Sequence, residues 1–425
     1  MQTLLPYLAI LVVILTGWGI AKKLQVTTLL LFAGLALNLL AILAGVDNIL
    51  PRGAKTTGWI GFDLFELLRA LSRSQIASTG FIILVAGGFA TYMDKIGATN
   101  KLVALCTKPL SKLSAPYVIL GAVFLLGHFL GLVVTSAAGL GTLLAVSVFP
   151  LLLGVGVSAV AASAAIASAL VFSYAPSSAI AVLAAKTAGA EPMTYLMQYQ
   201  IPVAIPAVLT VLVLHILVQR YLDKKDMAEG KIEAFDMAEI EAKKTASADT
   251  PWRSAILVDL ATRRDLAKVF TDGHAMFKGM GSMLTNVVGL IFVAALFADG
   301  LKNTGLVALL IEGAKSLGLG MSGTGLVVSA VIALVTLLTG SGVASFTGLV
   351  PIAPSVAAGL GGDPVDLAMM MQLASEMMRP VSPVAGIVII MAGFAKTSPL
   401  AIVRRTWIPC TGGLIVSLAA TILMM

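Results

Sequence analysis

Apolar residues run along this chain in blocks of membrane-crossing length, and the interruptions inside those blocks are mostly Gly, Ser, Thr and Pro rather than charges. The pattern predicts helical spans at 4–20, 26–46, 76–93, 116–134, 140–157, 159–188, 200–219, 284–299, 323–339, 343–358, 365–395 and 406–424. Several approach or exceed the ~20 residues that cover ~30 Å of hydrocarbon. The first has no basic residue before it and reads as a retained span. Two of them, 159–188 and 365–395, are predicted to be broken near Pro176 and Pro383. An amphipathic stretch at 94–115 carries Lys95, Lys101, Lys108 and Lys112 and suits the membrane interface. From Arg220 to Lys278 there are eleven Lys/Arg and eleven Asp/Glu, so 220–283 reads as a solvated, partly helical linker.

Five stretches recur about 207 residues later. Ala175-Pro176-Ser177-Ser178-Ala179-Ile180 stands opposite Ser382-Pro383-Val384-Ala385-Gly386-Ile387, Pro192 opposite Pro399, and Ile201-Pro202 opposite Ile408-Pro409 (383 − 176, 399 − 192 and 409 − 202 each give 207). Phe89-Ala90 returns as Phe297-Ala298, and Thr135-Ser136-Ala137-Ala138-Gly139 as Thr339-Gly340-Ser341-Gly342. Paired interruptions in corresponding apolar segments point to a doubled transporter fold with a site near the bilayer midplane.

The two pairs 116–134/140–157 and 323–339/343–358 are read as re-entrant hairpins that do not cross. One face then collects Lys22, Lys23, the lysines of 94–115, the basic residues of the linker, Lys396, Arg404 and Arg405. The other collects Arg52, Lys55, Arg69, Arg73, Lys186, Lys302 and Lys315, so the linker face is the cytoplasmic one. The chain crosses an odd number of times between 76–93 and 284–299, which turns the second copy upside down. The predicted fold is an all-α polytopic membrane protein with inverted-topology repeats, two re-entrant hairpins and two broken transmembrane helices. Residues 1–219 form the first repeat, 220–283 the linker and 284–425 the second repeat. The second repeat lacks the helix pair that opens the first, because its best candidate, Ile256-Leu257-Val258, is far too short.

Composition narrows the function. Hydrophobic residues make up 58% of the 425 and charged residues only 12%, a balance that suits lipid and not a water-soluble core. A net charge of +7 reflects Lys/Arg flanking the spans rather than affinity for nucleic acid. Cys106 and Cys410 match neither a disulfide framework nor a metal spacing, and three scattered histidines make no metal cluster. His128 lies in a hairpin arm as a packing residue or a proton relay, and His215 is placed at the interface by its position near a span end. With no phosphate loop, metal triad or nucleophile arrangement, an enzyme is not expected.

The candidate chemistry lies at the interruptions. Inside hydrocarbon, unwound backbone needs protein or a water-filled cavity to satisfy it. Pro176 and Pro383 mark either kinks or unwound helices whose half-helix ends face a ligand, with Ser177, Ser178 and Ser382 adding hydroxyls. The hairpin tips, Thr135, Ser136 and Gly139 in one and Thr339, Gly340, Ser341 and Gly342 in the other, offer oxygen ligands and tight reversals. The competing reading is a small-residue helix-packing face. Arg379 is the one Lys/Arg that the span map leaves inside the membrane. It either pairs with Glu376, three residues earlier, or grips a substrate carboxylate with its planar fork. The Met cluster at 369–371 with Met377 and Met378 reads as soft packing.

At these residues the chain resembles the anaerobic C4-dicarboxylate carriers of the DcuC type, within the ion transporter superfamily. The likeness rests on Gly88-Phe89-Ala90-Thr91-Tyr92-Met93, on SAAGLG at 136–141, on APSS at 175–178, on His215 with QRYLDKK at 219–225, and on TGSG at 339–342. It also rests on Arg379 with Val381-Ser382-Pro383-Val384-Ala385-Gly386. The resemblance implies a bacterial inner-membrane carrier of succinate, fumarate or related acids, built as a homodimer with a scaffold and a mobile domain. It implies a site at Thr135, Ser136, Ser177, Ser178, Thr339, Ser341, Arg379 and Ser382, with exchange, H+ or Na+ as the coupling. The chain departs from the family at Val343, at Ala179-Ile180 and in the missing helix pair. A same-fold carrier of another organic anion, or a non-transporting member, is the alternative.

Overall fold

A computed structural model describes residues 4–22, 24–46, 48–51, 54–98, 115–134, 136–175, 178–230 and 266–425. The expectations made for Thr135, Pro176, Ser177, Cys106, most of the basic stretch 94–115 and the apolar trio at 256–258 lie outside the described residues. Every regular element among the described residues is helical. Among the described residues, six helices are long and apolar enough to cross a membrane, or seven if Gly289–Asn303 and Leu306–Ser316, bent by 66°, are taken as one span.

Helices Leu5–Ala21 and Val26–Leu43 open the chain. A third helix runs from 60 to 95, far longer than the span 76–93 that hydropathy predicts. Its first turns carry Asp63, Glu66, Arg69 and Arg73, so a mixed face hides it from an apolar-run search. A π turn, Ile76–Gly80, interrupts it. The corresponding helix of the second half runs from 266 to 303 and carries its own π turn at Leu284–Val288, 208 residues on (284 − 76). The two long helices pack side by side, with Phe81–Lys95 against Leu266–Met283 and Ile60–Gln75 against Gly289–Asn303. They therefore run antiparallel and meet near their π turns.

Each half then folds a helical hairpin, a broken helix and a long closing helix. The first hairpin joins Pro116–Leu130 to Ala137–Ser147 and Phe149–Gly154; the second joins Gly320–Thr339 to Gly342–Leu349 and Ala353–Leu360. Pro150 and Pro351 interrupt the second arms, as a missing N–H requires. The first broken helix is Ala159–Ala167 and Ala179–Thr187; the second is Pro364–Met378 and Gly386–Phe394. Their starts follow local rules: Ser158 and Asp363 cap the first halves through their side chains, and Pro stands at the opening turn of the helices beginning at 116, 192, 364 and 399.

The two broken helices lie alongside each other in opposite directions. Ala159–Ala167 packs on Gly386–Phe394, and Ala179–Thr187 packs on Pro364–Met378. This crossing divides the core. One apolar cluster joins the first hairpin to 159–170 and 385–402, and another joins the second hairpin to 364–381 and the long helices.

The linker is narrower than composition predicts. Helix 192–228 carries the chain through Asp223 and Asp226, both buried, before residues 231–265 leave the described structure. Helix Leu266–Met283 begins on the other side. The apparent solvated composition hides a buried ionic cluster, described next.

Candidate functional site

The two interruptions face each other. In the first, helix stops at Ala167 and resumes at Ala179, so the chain is unwound well before Pro176. In the second, Arg379–Val381 forms a single 3-10 turn and helix resumes at Gly386. Arg379 reaches across and donates from Nη2 to the carbonyl of Leu170 in the first break, while its buried Nε has no partner. In return, the Ser173 amide donates to Glu376 Oε2 at 3.1 Å. The first break thus supplies open backbone to two charged side chains of the second broken helix.

The i,i+3 pairing of Glu376 with Arg379 is not formed: their charged atoms do not come within ion-pair distance, and each engages the opposite break instead. The cause lies in the helix end. Arg379 sits where the α-helix gives way to a 3-10 turn, so its side chain leaves the face that Glu376 occupies.

The second hairpin tip seals this junction. Gly340 adopts φ 71°, and a Cβ there would lie 2.6 Å from the Ala385 nitrogen. A Cβ on Gly342 would lie 2.7 Å from the Ser375 carbonyl oxygen. Both positions demand glycine because tip backbone touches backbone of the second broken helix, at Ala385 in the break and at Ser375 before it. Ser382 donates to Leu337 O at 2.7 Å, so its proton is spent on holding the hairpin rather than a ligand. Ser341 caps Gly342–Leu349 by accepting from Ala344 N, and Thr339 Oγ1 accepts from Ser341 N. Thr339, Gly340, Ser341, Gly342, Arg379, Ser382 and Pro383 therefore gather in one place. Ser178 lies at the far lip of the first break, buried and opening Ala179–Thr187 without a side-chain cap.

The first tip is different. Ser136 caps Ala137–Ser147 through the Gly139 amide, yet Ser136 and Gly139 are both exposed. The arm behind them does reach the second break, since a Cβ on Gly141 would collide with the Ile387 side chain.

Sequence reasoning missed the polar residues that back this junction. Gln200 Nε2 donates to Ser173 O at 2.9 Å, and Tyr195 OH donates to Gln372 Oε1 at 2.8 Å. Gln200 Oε1 and Glu376 Oε1 are buried acceptors with no partner. Single Gln and Tyr residues inside apolar helices carry no spacing signal. Buried oxygens without a partner are costly. No group of three or more His, Cys, Asp or Glu among the described residues could hold a metal ion.

A second buried polar assembly lies toward the linker face. Arg405, 2% exposed, pairs with Asp223 at 2.6 Å and with Asp226, while Arg404 reaches Asp226 at 3.3 Å. Tyr117 OH and Ser158 Oγ donate to Asp223, which ties in the base of the first hairpin and the start of the first broken helix. His215 is not at the interface but fully buried. Gln219 Nε2 donates to Arg405 O and faces His215 Nδ1, so Nδ1 accepts and Nε2 carries the proton toward Ser168 Oγ at 2.6 Å. His128 Nδ1 meets Phe124 O, and its Nε2 has no partner.

Comparison with known proteins places the chain in a family. The model of the C4-dicarboxylate anaerobic carrier family matches residues 5–257 and 252–425. The anaerobic C4-dicarboxylate transporter DcuC of Escherichia coli K12 is 31% identical over 459 aligned residues, covering 99% of this chain and 98% of that protein. A probable transporter of the same name from Vibrio cholerae is 32% identical over 453, covering 98% and 97%. Among solved structures, the YdaH transporter of Alcanivorax borkumensis superposes with a TM-score of 0.64 at 18% identity, covering 94% of this chain and 98% of that one, a likeness of fold. The chain belongs to the C4-dicarboxylate anaerobic carrier family, and is a multi-pass membrane carrier rather than an enzyme.

Proposed function

We propose that this protein is a secondary transporter that moves C4-dicarboxylates of the succinate and fumarate type across the bacterial inner membrane by alternating access. The observation that carries the reading is the junction of the two breaks, where Arg379 spans from one to the other with Nε unused. A guanidinium with a free edge beside open backbone is suited to a carboxylate, which can displace the Leu170 carbonyl and take two parallel bonds. Two repeats of opposite orientation, at 1–219 and 284–425, would bring the breaks together at the midplane, with the hairpins re-entering from opposite faces. The ligand shell in this reading comprises Thr135, Ser136, Gly139, Pro176, Ser177, Ser178, Thr339, Gly340, Ser341, Gly342, Arg379, Ser382 and Pro383. Ser382 acts as an acceptor only.

The carrier works as a homodimer with its linker in the cytoplasm, without an organic cofactor. Coupling to Na+ or H+ enters through the unpartnered oxygens of Glu376 and Gln200. The test is succinate counterflow in proteoliposomes. Arg379→Ala abolishes it while the protein stays folded and monodisperse; undiminished counterflow removes Arg379 from the site. A panel of unlabelled mono- and dicarboxylates competing for uptake separates this reading from a same-fold carrier of another anion.

A further inference from the structure

A cavity of about 260 Å³ lies apart from the junction. Four elements wall it: Gln75 comes from the first long helix beside its π turn, Ile291 from the second long helix, Leu183, Lys186 and Thr187 from the second half of the first broken helix, and Thr347 from the second hairpin. Lys186 closes Ala179–Thr187, and the next helix, 192–228, runs away from it to the linker. The cavity therefore opens on the face opposite the linker.

Three features fit it to a small anion. Lys186 is its only charged lining residue and has no ion-pair partner among the described residues. Thr347 is 1% exposed, and its hydroxyl has no hydrogen-bond partner, an uncommon state for a buried group. Gln75 and Thr187 add further donors. The volume holds roughly nine waters at ~30 Å³ each, enough for a four-carbon diacid.

The position fits a path as well. Leu183 is five residues beyond Ser178, and Thr347 six beyond Ser341, so along both helices the cavity sits roughly 7–9 Å from the junction at ~1.5 Å per residue. Its walls come from the long π-bulged helices on one side and from the hairpin and broken helix on the other.

We propose that this cavity is a vestibular anion site, in which Lys186 and Thr347 hold a carboxylate of the substrate on its way between the bulk phase opposite the linker and the junction. The proposal rests on the dicarboxylate reading above. A lysine here acts as a hydrated point charge that steers an anion without gripping it, which favours transit over retention.

The experiment measures succinate exchange from each face of proteoliposomes with oriented protein. Lys186→Gln lowers the saturation-corrected uptake rate (kcat/KM) from the face opposite the linker by about five- to tenfold, within the range known for electrostatic steering. It leaves kcat within twofold and the linker face unaffected, and Lys186→Arg restores most of the loss. Thr347→Val gives a smaller loss of the same sidedness. In the wild type that face alone slows with added salt, and Lys186→Gln flattens the salt dependence. Equal losses from both faces, or no loss, overturn the site. So does a loss seen with phosphatidylglycerol but absent in pure phosphatidylcholine, because the occupant is then a lipid headgroup. Absence of exchange in the wild type from either face overturns the dicarboxylate reading and this site with it, whereas exchange that ignores Lys186 overturns this site alone.

Discussion

Among the described residues, two arginines lie inside the helical mass, and they are finished to very different degrees. Arg405 has two carboxylates, a glutamine oxygen and a neighbouring arginine sharing one of those carboxylates. Arg379 has one backbone carbonyl and an idle Nε, and the nearby Glu376 has an idle oxygen. A buried charge that is fully paired is structural, and its removal strands its partners. A buried charge left partly unpaired is tolerated where a ligand completes it. In the proposed reading, the contrast separates the fastening of the molecule from its working part.

The largest expected effect falls on the fastening. Arg405→Met leaves Asp223 and Asp226 buried with only Arg404 near, and should cost about 3–5 kcal/mol. The readout is a fall in unfolding temperature and in monodisperse yield, and adding Asp223→Asn with Asp226→Asn should recover most of it. A stable Arg405→Met single variant would erase the distinction. Next comes Arg379→Lys, which keeps the charge but loses the planar fork. It should lower succinate exchange about 10- to 100-fold, or roughly 1.4–2.8 kcal/mol at the tenfold-per-1.4 scale, with an unfolding temperature close to wild type. An equal loss of stability in the two arginine variants would put Arg379 among the fasteners.

Glu376→Gln tests the idle oxygen. Exchange between equal pools should continue, while accumulation driven by an imposed Na+ or H+ gradient should fall to the passive level. Retained uphill accumulation would show that Glu376 does not take part in coupling. The smallest effect is expected at His215→Phe. Ser168 keeps its bond to Ala164 O, so mainly Gln219 loses a partner, at about 1 kcal/mol with near-normal flux.

The difference between the arginines also explains what the sequence could reveal. Arg379 stands alone in an apolar segment four residues before Pro383, so cost and position both advertise it. Arg405 follows Arg404 near the start of an apolar run and looks like a cytoplasmic flank. Asp223 and Asp226 sit among lysines in QRYLDKKD and look solvated. Only the packing of helices Ile201–Ala228 and Pro399–Met424 brings these groups together. The helix breaks were legible because Pro, Gly and Ser recur at a fixed offset. The long helices 60–95 and 266–303 were only half legible, because the mixed first half of each is covered by the second half of the other. Gln200 and Tyr195 were invisible, since isolated amides and phenols have no period.

The ionic cluster also sets a timetable. Asp226 leaves the ribosome 179 residues ahead of the arginine that neutralises it. At ~5–20 residues per second, the carboxylates wait on the order of ten to forty seconds for their cation. Through that interval the end of helix 192–228 is too polar to settle into its final depth, and stays near water or the translocon. Helix Pro399–Met424 is thus the one that lets an earlier helix finish inserting, and a nascent chain cut short before Arg405 presents two naked acids for quality control to find.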